Sequence, residues 1–185
     1  MNTNFNDVIS KVLIDEDSIQ KKIKQIATNI NQFYEDEPQD VLLVGILRGS
    51  IMFMSDLAKY LKIDCKLDFM DVSSYGDSTE SSGNVKIVKD LDTDVKDLNV
   101  LIIEDIIDSG NTLYFLVDTL KQRGAKSIKI VTLLDKPERR EKDVQPDWTG
   151  FKIPDEFVVG YGLDYAQHYR NLPYIGVLKR EVYEK

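Results

Sequence analysis

The sequence predicts an α/β fold, a mostly parallel central sheet with helices on both faces. Two observations carry that expectation. Apolar runs such as 41–46 (VLLVGI) and 100–103 (VLII) are continuous rather than alternating, as in strands covered on both sides. Each run ends in a turn of small or polar residues and is followed by a helical pattern, the order that builds strand–turn–helix units.

The elements follow in order. Residues 17–34 carry Ile19, Ile23, Ile26, Ile30 and Phe33, spaced alternately four and three apart. That is one apolar stripe of an amphipathic helix, opened by the cap-like run Asp15-Glu16-Asp17. The strand at 41–46 ends at Arg48-Gly49-Ser50, and 51–61 reads as a helix with Met54, Leu57, Ala58 and Leu61 on one face. Residues 66–72 and 85–88 read as strands, and the alternation Cys65, Leu67, Phe69 suggests a buried structural thiol at Cys65. Between them, 73–84 (SSYGDSTESSGN) is a loop long for a compact domain, either a hairpin tip or a lid over a site. The run 100–103 is the strongest buried-strand signal, and 113–123 a helix closed by Gly124. Further strands are expected at 128–134, 157–161 and 174–178, with the charged, proline-bearing stretch 136–154 as a connecting excursion.

Composition narrows the function classes. A chain of 185 residues fits one domain, 1–185. Lys plus Arg number 24 and Asp plus Glu 32, so the formal charge is 24 − 32 = −8. An acidic surface repels phosphate backbones at long range, which argues against nucleic acid or an anionic membrane as the main partner. A small phosphorylated ligand in a locally positive pocket stays open. One cysteine allows no internal disulfide, and there is no Cys/His cluster for zinc. Residues 1–7 have neither a basic start nor an apolar run, and no segment has the roughly 20 apolar residues needed to span a bilayer. A cytoplasmic location is expected.

The chemistry concentrates at 100–112. Glu104 and Asp105 end a buried strand, and Asp108 opens a glycine turn before a helix. Apolar burial accounts for VLII but not for three acids at its tip, whose mutual repulsion costs energy. Mg²⁺, held by one or two carboxylates plus substrate phosphates, would relieve it. The turn Asp108-Ser109-Gly110-Asn111-Thr112 places small and hydroxyl side chains at a helix N-terminus, a cradle for phosphate. Taken alone, DSGNT reads first as a capped helix start, and the acids Glu104-Asp105 just before it turn the reading toward a phosphate cradle.

The thirteen residues VLIIEDIIDSGNT resemble the phosphoribosyl pyrophosphate signature of the type I phosphoribosyltransferases. GILRGS (45–50), SSYGDSTESSG (73–83), LLDKPERR (133–140) and IPDEFVVGYGLDYAQHYRNLPYIG (153–176) resemble segments of hypoxanthine-guanine phosphoribosyltransferases, in the same order and closest to bacterial members. That resemblance implies the type I phosphoribosyltransferase fold: a core of about 35–140 and a small hood subdomain built from the N- and C-terminal segments. The implied activity joins phosphoribosyl pyrophosphate to hypoxanthine or guanine in purine salvage, with Mg²⁺. Relatives form dimers and tetramers, so a homodimer or homotetramer is implied too.

The resemblance also assigns roles. Glu104 and Asp105 hold the ribose hydroxyls and the metal; residues 108–112 take the 5-phosphate; Asp108 handles the proton at N7 of the purine. Lys136 faces O6 of the base, and a donor-only ammonium suits a carbonyl over the amino group of adenine. Phe157 stacks on the purine, main-chain groups around Val158 read its edge, and Asp164 holds a second metal. Arg48, Gly49 and Arg170 meet the pyrophosphate, Ser74 and Tyr75 close over it, and a non-proline cis peptide is placed at Leu47–Arg48. Relatives more commonly carry lysine before that glycine; arginine keeps the charge but changes its shape. His168, the single histidine, has no catalytic part. Two alternatives remain open: a nucleic-acid-binding regulator on the same fold, and the same chemistry on xanthine or another base.

Overall fold

The computed structural model of the chain describes residues 5–35, 40–74 and 85–184. Its centre is a six-stranded sheet of β2 (Val41–Leu47), β3 (Cys65–Ser74), β4 (Val85–Lys89), β5 (Asn99–Ile107), β6 (Ser127–Asp135) and β7 (Trp148–Lys152). The strand order is β4-β3-β2-β5-β6-β7, and every pairing is parallel except β3 with β4. A three-stranded antiparallel sheet joins both ends of the chain, β1 (Ile9–Ile14) with β9 (Ile175–Leu178) and β9 with β8 (Val158–Val159).

Helix α1 (Glu16–Phe33) begins where expected, because Asp15 Oδ1 accepts from the Ser18 amide at 2.7 Å. Its stripe of Ile19, Ile23, Ile26 and Ile30 is buried, but Phe33 is 47% exposed and Tyr34 takes the inward position. Helix α2 (Ile51–Ala58) stops short of Leu61, because Tyr60 and Leu61 amides turn back to Leu57 and Ala58 carbonyls and Asn31 of α1 binds the next backbone groups. Helix α3 (Asn111–Gln122) ends two residues before the left-handed Gly124, with Arg123 as its cap.

The β3 expectation needs correction. Asp68 and Met70 face the core, Cys65 is only half-buried, and Leu67 is 53% exposed. Asp68 is tolerated because its carboxylate accepts from the amides of Phe69, Asp92 and Thr93 at 2.7–3.0 Å. Two strands were absent from the sequence reading. β1 hides its alternation behind two register shifts, and β7 lies inside the 136–154 excursion, so the sheet continues past residue 140. The strand expected at 157–161 is only Val158–Val159, since Gly160 and Tyr161 adopt left-handed φ of 100° and 49°.

Two apolar layers pack on opposite faces of the large sheet, one containing α1, α2 and the inner residues of the small sheet, the other containing α3. The chain leaves β2 through α2 to β3 on one side, and leaves β5 through α3 to β6 on the other. Strand order therefore reverses between β2 and β5, and the loops after both strands frame one crevice, where open α/β sheets bind ligands. Among the described residues no helix is long and apolar enough to cross a membrane.

Candidate active site

Parallel pairing of β2 with β5 brings the turn after Leu47 beside the tip of β5. Gly49 lies against the Asp105 carboxylate so closely that a Cβ at position 49 would collide with it. The Leu47–Arg48 peptide is cis, at the expected place. Residues 104–112, with Ile46, Leu47 and Val72, line a cleft of about 280 Å³.

Glu104 and Asp105 are both buried. Burial, then the adjacent charge of Asp105, pushes the Glu104 carboxyl well above its ordinary range. Burial also raises Asp105, opposed by hydrogen bonds to Glu104 and the Ile106 amide and by the nearby Arg170 charge. Two buried carboxylates at the mouth of a cleft suit a hard divalent cation completed by ligand oxygens. Among the described residues no three Asp, Glu, His or Cys side chains form a metal cage. The third acid of the sequence reading points elsewhere, with Asp108 Oδ1 accepting from Arg139 Nε at 2.9 Å.

The turn 108–112 is shaped from outside. Gly110 has φ 84°, and a Cβ there would meet Val144 and Arg140. Arg140 donates to the Asp108 and Val144 carbonyls at 3.1 and 2.8 Å and pairs with Asp135, while the Glu141 and Lys142 amides donate to the Ser109 carbonyl. Ser109 Oγ accepts from Asn111 Nδ2 at 3.1 Å, and α3 starts at Asn111, so its N-terminus faces the turn. Sequence reasoning missed Arg140; a charged residue in a charged stretch gives no signal of an inward brace.

The Lys136 amide donates to the Ile107 carbonyl at 2.9 Å, fixing its backbone beside the β5 tip, and its side chain is nearly buried. Its ammonium lies 3.4 Å from Asp155, which also accepts from Arg139 at 3.3 Å. Desolvation pushes Asp155 up, but these two cations outweigh it and hold the carboxyl below its usual range. Charges thus alternate from Asp108 through Arg139 and Asp155 to Lys136. Arg139 and Asp155 were also missed.

Phe157 precedes β8, is 38% exposed, and stacks on Tyr183 of the short helix α4 (Arg180–Tyr183) at 4.7 Å and 22°. Tyr165 meets it edge-on at 5.7 Å. Val158 is buried in the small sheet. The Asp164 carboxylate pairs with Arg170 at 2.8 Å rather than joining Glu104 and Asp105 in a cluster. Arg170 donates to the Gly162 carbonyl at 2.7 Å, and Gly162, at φ 101°, packs on the Gly49 carbonyl with no room for a Cβ. Glu104, Asp105, Gly49, Gly162 and Arg170 therefore form one continuous neighbourhood. Ser74 is the last residue of β3, and Tyr75 with the rest of the 73–84 loop lies outside the described residues.

Comparison with known proteins agrees with this geometry. Residues 14–166 match the family model of the phosphoribosyl transferase domain. The chain is 59% identical to the hypoxanthine-guanine phosphoribosyltransferase of Bacillus subtilis (strain 168), over 95% of this chain and 97% of that protein. It is 52% identical to the protein of the same name from Lactococcus lactis, over 98% of both. A crystal structure of a hypoxanthine phosphoribosyltransferase from Staphylococcus aureus superposes with a TM-score of 0.94 at 50% identity, covering both chains completely. The chain belongs to the phosphoribosyltransferase family, on its hypoxanthine-guanine branch.

Proposed function

We propose that the chain transfers the 5-phosphoribosyl group of phosphoribosyl pyrophosphate to hypoxanthine and guanine, releasing pyrophosphate. The observation that carries this reading is the meeting of a buried carboxylate pair and a small-residue turn at the switch between β2 and β5, with Lys136 beside the same strand tip. Such a constellation suits a ribose whose hydroxyls lie between a 5-phosphate and a carbonyl-bearing base.

The residue roles follow chemically. Glu104 and Asp105 bind the ribose hydroxyls and Mg²⁺, and the 108–112 turn holds the 5-phosphate with helix-terminal amides and hydroxyls. When bound, Mg²⁺ supplies charge neutralisation on the pyrophosphate. As the C1–oxygen bond breaks, positive charge grows on the ribose and negative charge on the leaving group. Amides near Arg48-Gly49, with Arg170, stabilise the latter. Asp108, ion-paired with Arg139 at 2.9 Å, accepts the proton displaced from the purine. Lys136 donates to O6, Phe157 offers a ring face, and the backbone at Val158 reads the base edge. Asp164 orients Arg170, and in this reading contributes to a second metal through water. In this reading Ser74 and Tyr75 meet the pyrophosphate.

Purine salvage in the cytoplasm is the implied setting, with the whole chain acting as one domain. Assembly into a homodimer or homotetramer belongs to the proposal, supported by uncovered apolar side chains such as Ile51, Met52 and Leu67, 45%, 38% and 53% exposed. The test is direct. Incubated with hypoxanthine, the ribosyl donor and Mg²⁺, the protein should yield a nucleoside monophosphate and one equivalent of pyrophosphate, and a chelator should stop it. Absence of both products, with a gel shift of RNA or DNA instead, would favour the regulator.

A further inference from the structure

Two cationic side chains from different segments converge on one neutral atom. Gln167 Oε1 accepts from Arg48 Nη1 at 2.8 Å and from Arg170 Nη2 at 3.0 Å. Arg48 comes from the turn after β2 and Arg170 from the 160–170 segment that connects β8 to β9. These segments already touch through Gly49 and Gly162. Among the described residues Arg48 has no carboxylate partner, whereas Arg170 is paired with Asp164.

We propose that Gln167 is a positioning residue of the pyrophosphate site, holding the Arg48 and Arg170 guanidinium groups side by side through its amide oxygen. The inference rests on reading both arginines as pyrophosphate ligands. Two like charges brought together repel, and long side chains lose rotamer freedom when fixed. A carboxylate in that place would relieve the repulsion but cancel a charge. An amide oxygen accepts from both and adds no negative charge of its own, so Arg48 keeps its charge beside the Asp164-paired Arg170, ready for an anion with several oxygens. Forked guanidinium donors make this sharing possible, since each keeps other N–H groups for the ligand.

The backbone supports the same role. Ala166, Gln167 and Tyr169 adopt left-handed φ of 49°, 69° and 74°, a conformation that residues with a side chain adopt only when their surroundings hold them there. The turn is held by reciprocal hydrogen bonds between Tyr165 and His168 and by the Gln167 amide donating to Asp164 Oδ2 at 2.8 Å. Asp164 thus fixes Arg170 directly and Gln167 through its main chain. An extended backbone at 167 would carry the side chain away from Arg48.

Gln167→Ala and Gln167→Met test this; the second keeps the length and removes the acceptor. Calorimetric titration with magnesium pyrophosphate should show affinity falling roughly 5- to 10-fold in both, the scale of losing shared charge-assisted hydrogen bonds. Steady-state kinetics should show KM for the ribosyl donor rising similarly, with kcat and KM for hypoxanthine within about twofold. Pyrophosphate affinity unchanged in both variants, or KM rising equally for both substrates, would overturn the role. A protein that binds pyrophosphate through Gln167 but transfers nothing overturns the proposed function alone. One that turns over normally without Gln167 overturns this inference alone.

Discussion

At the scale of residues, the site is a set of charges whose partners were visible only once the chain was folded. Asp108, Arg139, Asp155 and Lys136 lie in an unbroken alternation, and the two ends are the groups that meet the base in the proposed reaction. The Asp108 charge, foremost, with hydrogen bonds to Asp155 and Asp108, raises the Arg139 pKa, so this guanidinium stays a permanent partner. Asp108→Asn keeps the shape and removes the proton acceptor. Its kcat should fall about 10²-fold, the lower end of general base contributions, with KM for the donor nearly unchanged; steady-state rates with hypoxanthine check this. The sequence made Asp108 and Lys136 legible because each sits in a motif at a strand end. Arg139, Asp155 and Gln167 carried no such mark, since each acts through a neighbour rather than through a pattern of its own.

At the scale of elements, the strands of the large sheet were readable where both faces are covered, as in β2, β5 and β6. They were not readable where cover is partial. β1 alternates imperfectly through its two register shifts, β7 is five residues inside a polar stretch, and β3 leaves Leu67 outside while taking Asp68 inside. Asp68 links elements, tying β3 to the 92–93 backbone that follows β4. Desolvation opposes its charge, but hydrogen bonds from Phe69 and Thr93, then Asp92, win and lower the carboxyl pKa. A depressed folded pKa means that the stabilisation is complete above the unfolded carboxylate range, and is lost as pH falls through about 4 and below. Asp68→Ala should therefore cost about 1–3 kcal/mol at pH 7, by leaving partly buried amides unpaired, and much less near pH 3. Urea unfolding at both pH values measures it; an equal loss at each would show that packing, not charge, is at stake.

At the scale of the whole molecule, the fold supplies one reversal of strand order and brings both chain ends over it. The carboxylate tip and the small-residue turn come from β5 and α3, the cis turn from β2, and the residues proposed to meet the base from the ends of β6 and β8. Continuous apolar runs sufficed to anticipate the parallel sheet, and the place of the cleft then followed from topology. The mating of the small sheet with the β2 turn, through Gly49 and Gly162, could not be anticipated, because a glycine required by a contact over a hundred residues away looks like any loop glycine.

In the proposed reaction one cleft reads both a ribosyl pyrophosphate and a 6-oxo group. The most direct measurement is initial rate with Mg²⁺ and the donor against hypoxanthine, guanine and adenine in turn, for the unaltered chain and for Lys136→Ala. Hypoxanthine and guanine should be consumed at rates at least about 10²-fold above adenine, and the variant should lose most of that preference. Equal rates on adenine, or a preference for 6-oxopurines that persists without Lys136, would contradict it.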